Sequence, residues 1–347
     1  MDDEKSGKVT IEFSFASIFW VLGIILSLWL FMNLQEILMS LLLAFILATA
    51  IAPLIDILQT KKIPRALSIT LIYLVIVGVI GLVLRLVVPP FIDQITAIFQ
   101  NRMSYIDTLT GYFGNFSGPL RTNLLSAVDN FSTSFTTLNF TGLVSGARGI
   151  FSGIIDVILV FVLSFYFLLS KNGIEKIITQ YIPNQYQKRV TAIYRKISKK
   201  MSAWLQGQVF LGLIIFAVNY IGLSILGINY ALTLAIISGL LEVLPIIGPI
   251  VSGALATIVA LTISPLLGLI VAAWYVLVQQ LENHIIVPLI MKRSLGLNPI
   301  VVILALLIGG KLLGIIGIII SVPVAAAVGV LLEEFVKIKE TEIESGN

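Results

Sequence analysis

Glu242 lies inside a long apolar stretch, residues 238–253, and Pro245, Gly248 and Pro249 follow it closely enough to interrupt any helix that carries it. An ionisable side chain at the centre of a bilayer costs about a few kcal/mol or more, so it faces a partner or a water-filled cavity. Irregular backbone at that depth is tolerated only where protein covers it or water lines it. A buried acid beside a broken helix is the pattern of a transport site, with Glu242 as partner of a proton, a cation or a substrate hydroxyl. The alternative is a protonated structural acid bonded to a neighbouring helix.

A second polar group, Gln279-Gln280-Leu281-Glu282-Asn283-His284, ends a later apolar run. On a helix Gln279, Glu282 and Asn283 share a face, being three and four residues apart. Amides supply donors and acceptors and the carboxylate an acceptor, which suits a small polyhydroxylated or ionic solute; the alternative is an interfacial polar cap. Lys311, between Gly310 and Leu312, is either a counter-ion to Glu242 or Glu282 or a snorkelling surface amine. Gln206, Gln208 and Asn219 line the same cavity or simply join helices. Arg85 and Asp156, near the outer ends of their spans, read as a structural ion pair, the alternative being a role in transport.

These groups must be held by membrane helices. The 347 residues are 58% hydrophobic and 12% charged, with a mean hydropathy of +1.05, outside the range of soluble domains. The net charge of +4 is spread over short basic segments between apolar runs, which marks cytoplasmic loops and not a nucleic-acid surface. With no cysteine and one histidine, thiol chemistry and a histidine-built metal site are excluded. No nucleophile–base pair, Walker loop or dinucleotide fingerprint is present, so the chain reads as a non-enzyme without cofactors, and any active transport draws on an ion or substrate gradient.

In chain order, residues 1–90 hold membrane helices: runs 13–32 and 37–58, then 66–88, which stops at Pro89-Pro90. The first run, lacking a cleavage site, reads as a retained helix. Lys61, Lys62 and Arg65 put the 59–65 loop, and after two crossings the N-terminus, in the cytoplasm. Residues 91–148 form an outer extramembrane insert, amphipathic and then polar, whose Asn115, Asn130 and Asn139 triplets match the glycosylation pattern without weight. A membrane helix at 149–170 precedes a basic amphipathic helix, 171–205, lying on the anionic inner leaflet. Residues 206–335 form the transport region and 336–347 a polar tail. For Lys292-Arg293 to lie inside, 230–263 must fold back at Pro245–Pro249, and the same reasoning folds 300–333 near Gly309, Gly310, Gly314 and Gly317 and puts the C-terminus inside. An internal echo fits a repeated architecture: Pro53-Leu54-Ile55 is followed by Pro64, and Pro288-Leu289-Ile290 by Pro299, each eleven residues on.

The chain resembles the autoinducer-2 exporter (AI-2E) family over nearly its whole length. The resemblance rests on the Pro53–Asp56 turn, the amphipathic insert, Gln206-Gly207-Gln208, Glu242-x-x-Pro245-x-x-Gly248 and Gln280-x-Glu282-Asn283. Pro288, Ser294-Leu295-Gly296-Leu297-Asn298-Pro299, Gly309-Gly310, Gly314-x-x-Gly317 and Pro323 complete it. Many relatives would have histidine where Asn298 stands, so no titrating role exists there. The resemblance implies a multi-pass transporter with about eight membrane helices, assembling as a homo-oligomer. Some relatives are associated with autoinducer-2 export, others with sodium or lithium/proton antiport.

The reading is therefore an all-α polytopic membrane protein with broken or re-entrant segments near 238–253 and 309–317. It exports a small polar solute by alternating access, or exchanges a monovalent cation for protons on the same carboxylates; a non-transporting scaffold is the third possibility. Glu242, Gln280, Glu282, Asn283 and Lys311 are the candidate substrate or ion ligands, with Gln206, Gln208, Pro288, Asn298 and Pro299 supporting.

Overall fold

The computed structural model describes residues 15–101, 103, 107, 122, 125–126, 155–170, 173–291 and 298–345. Most of the insert, its glycosylation triplets, Lys171 and Lys292-Arg293 lie outside the described residues. Among the described residues there are helices and no strands. They are α1 (Phe15–Thr60), α2 (Arg65–Gln100), α3 (Ile155–Leu169), α4 (Gly173–Tyr181), α5 (Asn184–Ile225), α6 (Ala231–Leu241) and α7 (Ile247–Leu261). After them come α8 (Pro265–Leu281), a π-helical turn (Glu282–Ile286), α9 (Val287–Met291) and α10 (Pro299–Ser345). Five segments are long and apolar enough to cross a bilayer, namely Asn33–Thr60, Arg65–Ile98, Asn184–Ile225, Pro265–Ile290 and Ile300–Val336; α3, α6 and α7 are shorter apolar helices. The chain is an all-α polytopic membrane protein.

Three boundaries differ from the sequence reading. The two apolar runs of α1 form one helix, because Asn33-Leu34-Gln35-Glu36 contains no glycine or proline and the Asn33 amide donates to the Trp29 carbonyl (2.8 Å). Counting two crossings therefore no longer places the N-terminus. Helix α2 runs through Pro89-Pro90 to Gln100. Pro90 has no N–H for the carbonyl of Leu86, and the Thr233 hydroxyl of α6 donates to that carbonyl instead (3.4 Å). The basic stretch is two helices, broken at Ile182-Pro183, and the second, α5, continues unbroken into the membrane span. Its charges pair within the protein: Lys196 with Glu334, Lys200 with Glu333 (3.5 Å) and Arg195 with Glu175 (2.7 Å).

Helices α6 and α7 have 11 and 15 residues, about 16 and 22 Å at the helical rise, each short of a full crossing of about 30 Å. They form a hairpin: Ala231 and Leu234, early in α6, share a core with Ala256, Val259 and Ala260, late in α7. Helix α10 also doubles back. Gly309 and Gly317 would stand about 12 Å apart on a straight helix, yet a Cβ on Gly317 would come 1.9 Å from the Gly309 carbonyl oxygen. The reversal occurs at Gly314 (φ 61°, ψ −140°), a conformation open essentially to glycine alone.

Helix α5 shows how the two hairpins sit. The base of the α6–α7 hairpin packs against Leu223 and Ile228, at the far end of α5. The outgoing arm of α10 is tied to the near end through Lys196, Lys200 and Met201, the last sharing a core with Ile320. The hairpins thus enter from opposite ends of the bundle. Their tips reach α5 within about two turns of each other, one near Trp204 and Leu205 and the other at Gln208 and Gly212.

Candidate functional site

The tip of the first hairpin is built to end a helix and expose nothing polar except one carboxyl. Residues 242–246 leave helical geometry after α6; the Leu244 N–H still reaches Leu241 (2.8 Å), and Ile247 N–H bonds Pro245 (2.8 Å), closing a three-residue turn around Ile246. Ile246 sits at φ 71°, ψ −51°, a strained conformation for a β-branched residue. Helix α7 then starts beneath the end of α6, where only glycine fits: a Cβ on Gly248 would stand 2.0 Å from the Leu241 carbonyl oxygen. Pro245 and Pro249 flank this turn, half-buried.

Glu242 is thereby held at the tip with 2% of its surface exposed. Its backbone carbonyl accepts a hydrogen bond from the buried amide of Gln208 on α5. The two helices approach backbone to backbone one turn away, since a Cβ on Gly212 would lie 2.6 Å from the Gly239 carbonyl oxygen and one on Gly239 equally close to that of Gly212. One turn before Glu242, Ser238 meets the Tyr275 hydroxyl of α8 (2.8 Å) and donates to the Leu234 carbonyl or to that hydroxyl. Tyr275 also lies on Gly253 of α7, so a single aromatic ring fixes both arms of the hairpin to α8.

Opposite Glu242 stands Glu282, 6% exposed, the first residue of the π-helical turn. The widened turn has a local cause. Pro288 cannot donate to the carbonyl one α-turn back, and Val287 N–H bonds the Glu282 carbonyl across five residues instead. The Glu242 and Glu282 side chains are neighbours, and the Gln279 side chain lies beside Glu282. Oε2 of Glu242 is fully buried and has no hydrogen-bond partner. Buried polar atoms are nearly always paired, so an unpaired oxygen on a carboxylate that neighbours a second acid marks a place for a proton or a cation.

The remaining sequence candidates are not gathered here. Gln280 and Asn283 are exposed on the other face of α8 and the π turn; Asn283 accepts from Gln279 at 3.4 Å. His284 is exposed, bonded to the Gln280 carbonyl (2.9 Å). Gln206 donates to the Ala50 carbonyl (3.3 Å) and Ser202 (3.2 Å), joining α5 to α1. Asn219 accepts from the Trp274 indole (3.2 Å), joining α5 to α8. Pro288 is exposed, Asn298 caps α10 through Ile300 N–H (2.9 Å), and Pro299 is the first residue of that helix. Gly309, Gly310, Gly314, Gly317 and the exposed Lys311 belong to the second hairpin, packed on α1 and α5 and not around the acids. Among the described residues no ion pair joins Lys311 to either acid, or Arg85 to Asp156. Sequence reasoning did not single out Gly212, Gly239 or Tyr275. Small residues on membrane helices were the available signal for the two glycines.

Comparison with known proteins follows the same lines. Residues 18–337 match the family model described as AI-2E family transporter. Two relatives are the Putative transport proteins YrrI and YueF of Bacillus subtilis (strain 168). YrrI is 29% identical over 311 residues, covering 88% of each chain; YueF is 31% identical over 300 residues, covering 83% of this chain and 81% of its own. The like-named YhhT of Escherichia coli (strain K12) is 24% identical over 306 residues, covering 86% and 84%.

Proposed function

From the premise that the chain belongs to the AI-2E family of multi-pass membrane transporters, we propose that it is a gradient-driven secondary transporter whose coupling ion binds between Glu242 and Glu282. The observation that carries this reading is the unpartnered, fully buried Oε2 of Glu242, on a carboxyl that neighbours a second acid. Two acids stripped of water repel unless a proton or a cation lies between them. Binding and release of that ion change the charge at the hairpin tip, and with it the balance between packing arrangements of the tip against α5 and α8. Two hairpins entering from opposite ends suit alternating access. The transported solute is a small polar molecule of the autoinducer-2 type, moved outward. The basic ends of α2, α4 and α5, together with the C-terminus, face the cytoplasm, so the first hairpin opens outward and the second inward. The protein works as a homo-oligomer.

Export is tested with the purified protein in liposomes, by following autoinducer-2 flux with and without a proton gradient. Flux that rises with the gradient is the expected result, and gradient-independent flux removes the coupling role. A second reading, sodium or lithium/proton antiport, is favoured by the same oxygen, because a bare monovalent ion satisfies it as well as a proton does. Sodium-dependent dequenching of a pH dye inside the vesicles, without any organic solute, selects that reading.

A further inference from the structure

A cavity of about 790 Å³ lies between α1, α3, the start of the α5 span and the tip of the second hairpin. Its volume falls in the range of small-molecule sites, roughly 300–1,000 Å³. The walls are mostly apolar, among them Leu43, Phe161, Trp204, Leu312 and Ile316, with Gln35 and Ser40 of α1 as polar exceptions. One charged residue, Asp156 of α3, opens onto it, and Asp156 has no hydrogen-bond or ion-pair partner among the described residues. Arg85, its expected partner by sequence, does not reach it.

We propose that this cavity binds an amphiphilic organic cation, its charge against Asp156 and its apolar body between α1, α3 and the second hairpin. Asp156 is exposed near the N-terminal end of α3, and its charge at the edge of a largely apolar cavity favours a cation with little hydration of its own over a strongly hydrated one. Phe161 and Trp204 add aromatic faces, which attract cations and not anions. A bare metal ion does not fit the site: the walls are mostly apolar with one carboxylate, and the space is many times its size. A neutral acyl chain would fill the apolar part but leave Asp156 as it is. The site is separate from the acid pair, and the inference does not rest on the function proposed for that pair.

The test uses the full chain in lipid nanodiscs, with empty discs subtracted, and labelled tetraphenylphosphonium as probe. Tetraphenylborate, of the same shape and opposite charge, is the control. The phosphonium is expected to bind the protein and the borate not. Asp156→Asn should weaken phosphonium binding by about ten-fold or more, while Asp156→Glu retains it. Leu43→Trp, which fills the cavity without touching the charge, should weaken it too. Glu242→Gln should leave it unchanged. Equal binding of the two probes, wild-type binding by Asp156→Asn, or no binding above empty discs overturns the proposal. Loss of binding in Glu242→Gln with none in Asp156→Asn also overturns it, by moving the cation to the acid pair.

Discussion

The two hairpins reach the same level of α5 from opposite ends, yet they are built on different terms. The first turns through Glu242, two prolines and a strained isoleucine, and brings a carboxyl against a second carboxyl. The second turns through a glycine and brings only apolar side chains and the exposed Lys311 towards the middle. Backbone reversal in a membrane therefore does not itself need a polar site. It needs glycines where two arms touch, and a buried carboxyl is added at one tip only.

That contrast can be broken at the arms first. Gly317→Ala should cost about 3 kcal/mol, because the new methyl meets the Gly309 carbonyl and not a side chain that can move aside. Gly78→Ala on α2, with nothing within 4 Å, is the control and should cost nothing. Unfolding in mixed detergent micelles titrated with dodecyl sulfate measures both. The turns should then answer in opposite directions. Gly314→Ile forces a side chain into a conformation only glycine adopts well and should destabilise by about 2 kcal/mol. Ile246→Gly relieves the strain at the first tip and should stabilise by about 1 kcal/mol, net of the added chain entropy. If both substitutions destabilise equally, the first tip is not strained. The smallest effect belongs to the ion pairs that tie the second hairpin to α5: Lys196→Ala, half-exposed, should cost about 0.5 kcal/mol, and less in high salt.

Much of the first hairpin was legible in the sequence, and less of the rest. Pro245, Gly248 and Pro249 announced the break beside Glu242, and charge in the flanking loops required the chain to fold back there. Glu282 was legible as the facing acid because it is the only other carboxyl in the apolar part of the neighbouring run. Its neighbours were not: three- and four-residue spacing groups Gln279, Glu282 and Asn283 on one face, but in the structure, where a π turn begins at Glu282, Glu282 is buried and Asn283 is exposed. The second hairpin was readable from its glycines, whereas its position was not, since sequence alone does not say from which end a hairpin enters or what it meets. Asn33, Gln35 and Glu36 imitate a loop although nothing in them breaks a helix, and Pro89-Pro90 imitate a stop because the hydroxyl that bonds the carbonyl left open by Pro90, that of Thr233, lies far along the chain.

The central claim is that the ion site lies between Glu242 of the first hairpin and Glu282, and not at the second hairpin. Gradient-driven proton flux into liposomes, measured side by side for wild type, Glu242→Gln and Lys311→Met, tests it most directly. Flux abolished by Glu242→Gln and retained by Lys311→Met is the predicted result; wild-type flux through Glu242→Gln would contradict it.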